Sequence, residues 1–262
     1  MNKLVYNYHT HTSRCGHANG LDEEYVLSAI KSGIKYLGFS DHIILPEGYV
    51  QPGIRGNPEL LEDYLTSLSE MKEKYKDKVD ILIGFEAEYY PQMINYYKEL
   101  LNGRIDYLIL GQHCYLKDDE FTWYFHKDSP IEDIRKYVDD VIEGLKTGLF
   151  TYLAHPDLFM HSQYEWNEEL EKESRRLLKT CAELNIPVEL NVCGMRRPHY
   201  DAIHYSYPNI HFYQLIKEYN LKVVLGIDAH NPKHFNQEEI EYVYSFANLC
   251  GFEIDFSYRI YR

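Results

Sequence analysis

No apolar run in this 262-residue chain approaches the roughly 18 residues that a membrane-crossing helix requires, so no membrane span is expected. Positive charge is also scarce. The 27 Lys and Arg against 41 Asp and Glu leave a formal net charge of −14. A nucleic-acid binder ordinarily presents a basic face, so this balance argues against duplex binding through bulk charge. It also means that the global field would not steer an anionic substrate inward, and a phosphate would need local positive charge. Cysteine is sparse and unpaired in pattern: Cys15, Cys114, Cys181, Cys193 and Cys250 are odd in number and form no CxxC. They read as free thiols of a reducing cytoplasm. The opening Met1-Asn2-Lys3 lacks a basic stretch followed by an apolar one, so no signal peptide is expected and the location expected is cytoplasmic.

What is present is an alternation of short apolar runs with longer helical stretches, which predicts an α/β fold with parallel strands. Strands are expected near Lys3–Tyr8, Tyr36–Phe39, Val79–Gly84, Tyr107–Leu110, Thr151–Ala154, Pro187–Leu190 and Lys222–Leu225. Helices are expected from about Leu21 to Gly33, and over Pro58–Lys76, Gln92–Leu101, Pro130–Lys146, Asn167–Leu184, Asn209–Tyr219 and Gln237–Leu249. The segment Tyr115 to Phe125 reads as a hairpin excursion, Pro46 to Asn57 as an active-site loop, and Phe252–Tyr258 as a last apolar segment. The length suits one barrel of roughly 250 residues, large enough for a core without disulfide or structural metal. An open doubly wound sheet is the alternative. The 26 tyrosines read as amphipathic filler from an AT-rich genome.

The polar residues decide between these. His9 and His11, two apart on a strand, present their imidazoles to one face, and His17 follows in a loop that Gly16 allows to fold back. His42 follows the second strand, Glu86 the third, His113 the fourth, His155 the fifth, and Asp228 and His230 the seventh. Each lies at a strand's C-terminal end, where barrel strands converge on one mouth. Imidazole and carboxylate suit borderline metals. One metal takes three or four protein ligands, so these nine donors fit three metals if a carboxylate bridges. Glu86 is the expected bridge. Cys15 and Cys114 lie beside candidate ligands, but nearby imidazoles and carboxylates suffice.

His9-Thr10-His11, Ser40-Asp41-His42, Gly84-Phe85-Glu86, Gly111-Gln112-His113, Ala154-His155-Pro156-Asp157 and Asp228-Ala229-His230 together resemble the motifs of the PHP (polymerase and histidinol phosphatase) family. Cys15-Gly16-His17, Gly194-Met195-Arg196-Arg197 and the length resemble its monofunctional histidinol-phosphate phosphatases. The resemblance implies a single distorted (β/α)7 TIM-like barrel over residues 1–262, with three divalent ions of zinc, iron or manganese. It implies one ion on His9, His11, Glu86 and Asp228, a second on Glu86, His113 and His155, and a third on His17, His42 and His230, with Asp41 orienting a ligand. The implied reaction is hydrolysis of L-histidinol phosphate, a small-molecule ester of histidine biosynthesis, with no nucleic acid or membrane partner. Attack would come from a metal-bridging hydroxide, since metals acidify bound water.

Arg196 and Arg197 are expected to fork onto phosphate oxygens, with Asp228 and His230 as candidates for proton transfer. The family suggests a basic residue just after the fifth strand. This chain has Leu158-Phe159-Met160-His161 there, and His161 is the expected substitute. His199 is expected to line the pocket, while His126, His204, His211 and His234 read as surface or outer-sphere residues. Glu88, Glu47 or the Asp118–Glu120 turn would receive the substrate's ammonium and imidazole. Two other readings stand beside this one. The first is a related phosphoesterase acting on a nucleotide, an oligonucleotide or phosphotyrosine. The second is a metal-binding domain without catalysis.

Overall fold

The computed structural model describes residues 3–126, 129–162, 165–197, 200–204 and 206–260. Strand β1 (Tyr6–Asn7) leads to helix α1 (Asp22–Ser32), which carries three acidic residues in its first turn. These favour the positive end of the helix dipole. The helix stops where Gly33, at φ 89°, turns its N–H back onto Ala29 and Ile30. There follow β2 (Tyr36–His42), α2 (Leu61–Tyr75), β3 (Asp80–Ala87), α3 (Ile94–Leu101) and β4 (Tyr107–Leu110). The expected excursion is an antiparallel hairpin, β5 (Cys114–Lys117) with β6 (Glu120–Trp123). Then come α4 (Ile131–Lys146), α5 (Glu168–Glu183), β7 (Val188–Asn191), α6 (Val192–Met195), α7 (Ile210–Leu215), β8 (Val223–Gly226) and α8 (Gln237–Cys250).

Strands β1 to β4 lie side by side in sequence order, all parallel, and β7 pairs with β8 in parallel. The expected fifth strand spans the gap with one bridging residue. Leu153 bridges Leu110 on one side and Val188 on the other. It is short because His155 takes φ 26° and turns the chain out of extended geometry. The ring closes where Thr10 bridges Ala229 and the His11 N–H reaches the Ala229 carbonyl at 2.9 Å. The result is the distorted seven-stranded α/β barrel expected from the sequence. The last apolar segment adds only a bridge from Ile254 to Val223, and it packs the Tyr258 ring against Tyr6, Tyr8 and Tyr152.

The tyrosines correct one expectation. Tyr6, Tyr8, Tyr25, Tyr64, Tyr107, Tyr152 and Tyr213 are among the bulkiest fully buried side chains, so they are core and not filler. Several of their hydroxyls meet backbone carbonyls: Tyr107 donates to Tyr8, with Phe39 also in reach, Tyr64 to Gly84, and Tyr6 to Asp255.

Candidate metal centre

Asn7 sets the first candidate ligands. Its side-chain amide donates to the His9 carbonyl at 2.9 Å and to Thr10 Oγ1 at 2.8 Å, and its Oδ1 accepts from the Ile227 N–H at 2.8 Å. The strand parity then carries both His9 and His11 inward, with ring centroids 5.3 Å apart. Thr12 caps a short turn over Ser13–Cys15, and Gly16, at φ 86°, reverses the chain. This brings His17 back to 5.4 Å from the His42 ring and 4.8 Å from His230. Strand β3 pairs with β2 as far as Glu86 opposite His42 and with β4 through Glu86 opposite Ile109, so Glu86 sits within the sheet directly beside His42.

Glu86 is the centre of the arrangement. Its Oε1 lies 2.7 Å from His155 Nε2, 3.5 Å from His9 Nε2 and 3.6 Å from His113 Nε2. Its Oε2 lies 3.1 Å from His42 Nδ1 and 3.5 Å from His11 Nε2. Asp228 Oδ1 lies 3.1 Å from His11 Nε2 and 3.6 Å from His9 Nε2. Room for Glu86 depends on Gly111, where a Cβ would fall 2.0 Å from Oε1.

The rings are held from behind by acceptors that aim their free nitrogens at the centre, as outer-sphere groups do at metal sites. His9 Nδ1 meets Glu189 Oε1 at 2.7 Å, and His11 Nδ1 meets Asp41 Oδ1 at 3.3 Å. His113 Nδ1 meets Glu88 Oε1 at 3.2 Å. His17 Nδ1 donates to the Gly53 carbonyl at 3.0 Å, and His230 Nδ1 faces the Asp228 carbonyl at 3.2 Å. The charge balance differs from ring to ring. Burial alone would push His9 and His11 down, but the carboxylates around them raise both well above the ordinary histidine value. Burial lowers His17, helped by His230 and His11, and burial also carries His42 well down. Burial would raise Glu86 and Asp228, yet the surrounding imidazoles hold both well below the usual carboxylate range.

This donor set fits bound cations. His9 Nε2, Glu86 Oε2 and Asp228 Oδ1 are buried and lack hydrogen-bond partners, an expensive arrangement for polar atoms unless something else satisfies them. His17 Nε2 and His230 Nε2 face each other at 3.1 Å, although both rings already turn Nδ1 to a backbone carbonyl. Two lone pairs so placed repel. A tetrahedral ion with bonds of about 2.0–2.1 Å would hold two such nitrogens roughly 3.3 Å apart. Groups of three donors whose ligand atoms all lie within 4.8 Å of one another include His9, His11 and Asp228; His9, Glu86 and His155; His11, His42 and Glu86; and His17, His42 and His230. All nine expected donors are therefore brought to one place. Cys15 also comes near His11 and His230, with its thiol donating to the Thr12 carbonyl.

The donors floor a cavity of about 410 Å³, whose walls include Ile54, Trp123, Leu158, Cys193, Arg197 and Tyr207. Of the expected substrate residues, Arg197 stands at this cavity, its guanidinium 5.1 Å above the Tyr207 ring and donating to the Tyr207 hydroxyl. Arg196 does not. It turns outward to Glu239 at 2.6 Å and to the carbonyls of Ile227 and His234. The cause is local: Asn191 caps the short helix α6, and one helical step rotates consecutive side chains by about 100°. His161 packs edge-on against Tyr207, off the cavity wall, and burial with the Arg197 charge lowers it to about 4. The residue is solvent-exposed and does not line the cavity, so it does not stand where a phosphate-binding base was expected. His199 lies outside the described residues.

Three further expectations change. Glu88 is wholly buried against Arg55, while Glu47 and the Asp118–Glu120 turn are exposed, and none of them lines the cavity. His234 has a supporting role, its Nδ1 accepting from the His230 N–H at 3.2 Å. Sequence reasoning missed Glu189, a buried carboxylate in β7 whose Oε2 also accepts from the His155 N–H and from Asn191. Its signal was an acidic residue inside an apolar parallel strand, where a charge needs a partner. Gly226 gives it room, since a Cβ there would fall 1.7 Å from Glu189 Oε1.

No helix among the described residues is long and apolar enough to cross a membrane. Comparison with known proteins places this geometry. A probable histidinol-phosphatase of Deinococcus radiodurans is 27% identical over 267 residues, which cover 96% of each chain. The histidinol-phosphatase of Bacillus subtilis is 20% identical over 270 residues, or 92% of this chain and 98% of that one. A histidinol phosphate phosphatase of Lactococcus lactis, solved with zinc, L-histidinol and phosphate, shares the fold at a TM-score of 0.73 and 17% identity, over 96% of this chain and 95% of its own. The PHP domain profile matches residues 7–192, which hold seven of the nine donors; Asp228 and His230 come to the same mouth through β8. The chain belongs to the PHP domain family.

Proposed function

We propose that this protein is a metal-dependent phosphomonoesterase that hydrolyses L-histidinol phosphate to L-histidinol and phosphate. The observation that carries the reading is Glu86, one carboxylate within 3.6 Å of five imidazoles at the floor of a cavity that Arg197 overhangs. In this reading three divalent ions are held as the resemblance implies: by His9, His11, Glu86 and Asp228; by Glu86, His113 and His155; and by His17, His42 and His230. Zinc, iron and manganese all suit such donors. When bound, such ions acidify water and offset the charge of the phosphoryl oxygens.

The chain's own residues supply the remainder. Glu86 fixes the spacing of the donor groups on either side of it. The Arg197 fork receives phosphoryl oxygens from the rim and orients the ester for in-line attack. In hydrolysis the bond from phosphorus to the alcohol oxygen breaks, a bond to the water oxygen forms, and one proton must reach the departing alkoxide. Asp228 and His230, both lining the cavity, are the candidates for that proton transfer. Ile54, Trp123, Leu158 and Tyr207 offer an apolar wall to the imidazole of the substrate.

The test is phosphate release by metal-loaded protein on a panel of L-histidinol phosphate, an aryl phosphate, a nucleotide and a phosphotyrosine peptide. The reading expects L-histidinol phosphate to give the highest kcat/KM. Preference for the aryl ester or the nucleotide would overturn this substrate. Fewer than two ions per chain by elemental analysis would overturn the metal centre itself.

A further inference from the structure

The loop after β2 carries Arg55, which is 2% exposed. A loop that only covers a surface has no need to bury a guanidinium, because burying a charge is costly unless it is fully paired. Arg55 is fully paired. Its fork meets Glu88 at 3.0 and 3.2 Å, Nη1 also reaches the Ile43 carbonyl, Nε donates to Gln51 Oε1 at 3.0 Å, and Phe121 of the hairpin lies under the guanidinium at 5.1 Å. The same loop is a tight turn in which the N–H groups of Ile54 and Arg55 both reach the Gln51 carbonyl.

Two contacts run from this turn to the metal centre by separate routes. Through the side chain, Arg55 fixes Glu88, whose Oε1 faces His113 Nδ1 at 3.2 Å. Through the backbone, the Gly53 carbonyl accepts from His17 Nδ1 at 3.0 Å, and Gly53 lies so close to Gly16 that a Cβ at Gly16 would fall 3.1 Å from its Cα. His113 and His17 stand on different sides of the cluster, next to different donor groups. Ile54, between the two contacts, lines the cavity.

We propose that Arg55 is a positioning residue that clips the turn 51–55 onto the metal centre, so that one buried guanidinium orients both His113 and His17. The clip also sets the wall at Ile54. The deep group of His9, His11 and Asp228 is independent of it, because Glu189 and Asp41 hold those two imidazoles. The inference rests on the three-ion reading of the centre but not on the identity of the substrate.

The experiment is elemental analysis and competitive chelation of the wild type and of the Arg55→Lys and Arg55→Ala variants. Lys keeps the charge but cannot form the fork. Expected for Arg55→Lys is a loss of about 10–100-fold in affinity, the range of outer-sphere changes, at two of three ions, with the third unchanged. Arg55→Ala should retain roughly one ion per chain. Equal weakening of all three ions, or of none, would overturn the clip, since an arginine needed only for stability would lower the melting temperature without choosing among ions.

Hydrogen exchange on the unmodified protein guards against variants that fail to fold. Zinc loading should slow exchange of the Ile54 and Arg55 amides, because coupling between ion and turn is reciprocal. Unchanged exchange there would overturn the clip. A wild type that holds fewer than three ions would instead overturn the underlying reading of the centre.

Discussion

The floor and the rim of the metal centre are built differently. At the floor, His9 and His11 are essentially unexposed and are backed by the carboxylates Glu189 and Asp41. At the rim, the exposed His17 turns to a neutral backbone carbonyl, and the half-buried His230 has the Asp228 carbonyl at 3.2 Å and the Asp228 carboxylate at 3.3 Å. A carboxylate behind an imidazole raises its basicity and its strength as a ligand, whereas a carbonyl mainly fixes its orientation. The floor should therefore hold its ions tightly and with a marked pH dependence, and the rim should exchange its ion.

The largest effect expected is from Glu86→Ala, which removes the carboxylate shared by two of the three proposed ions. At least two ions should be lost, with activity down by well over the ~100-fold of outer-sphere changes. Gly111→Ala, whose Cβ would meet Glu86, should act the same way without touching a ligand. Equal ion loss in Glu86→Ala and His17→Ala would erase the distinction between the levels. Next in size is His17→Ala, expected to cost one ion while the floor stays loaded, as elemental analysis after dialysis would show. Glu189→Gln should leave the ion count unchanged at saturating metal but weaken the floor by about 10–100-fold, measured by chelator competition. Loss of the rim ion instead would invert the comparison.

The smallest effect is in protons. Before an ion binds, the carboxylates around His9 and His11 raise both and favour their protonated forms, which loading must displace. His17 and His42 are lowered and already neutral at pH 7. Calorimetry in buffers of different ionisation enthalpy should thus show proton release for floor ions. For the rim, His17 and His42 contribute none. Floor affinity should fall as pH drops below 7, with rim affinity changing less.

The sequence made the donors legible because each follows an apolar strand, and a parallel barrel gathers strand ends at one mouth. It also made most helices legible: the one expected from Asn167 begins there, with the Asn167 side chain accepting from two N–H groups of α5. The supporting groups were less legible, because their roles depend on distant chain. Arg55 reads as a solvated loop residue until Phe121 and Glu88 close over it. Arg196 and Arg197 are neighbours of one type, and only the short helix α6 turns one to Glu239 and the other to the cavity. His161 follows the right strand, yet its ring packs against Tyr207 and does not line the cavity. The fifth strand was expected at full length and survives as one bridge, because the turn at His155 serves the ligand ahead of the sheet.

The bridge from Thr10 to Ala229 has a consequence for assembly. It is the seam of the barrel, where the first strand meets the last, and His11 and Asp228 face each other across it at 3.1 Å. An ion held by both would act as a rivet between the two ends of the polypeptide. By the chain-entropy estimate for cross-links, closing a loop of that length is worth about 5 kcal/mol against the unfolded chain. On a ribosome that ion could not be held until residue 228 had emerged, so its capture would wait for the last strand of the barrel.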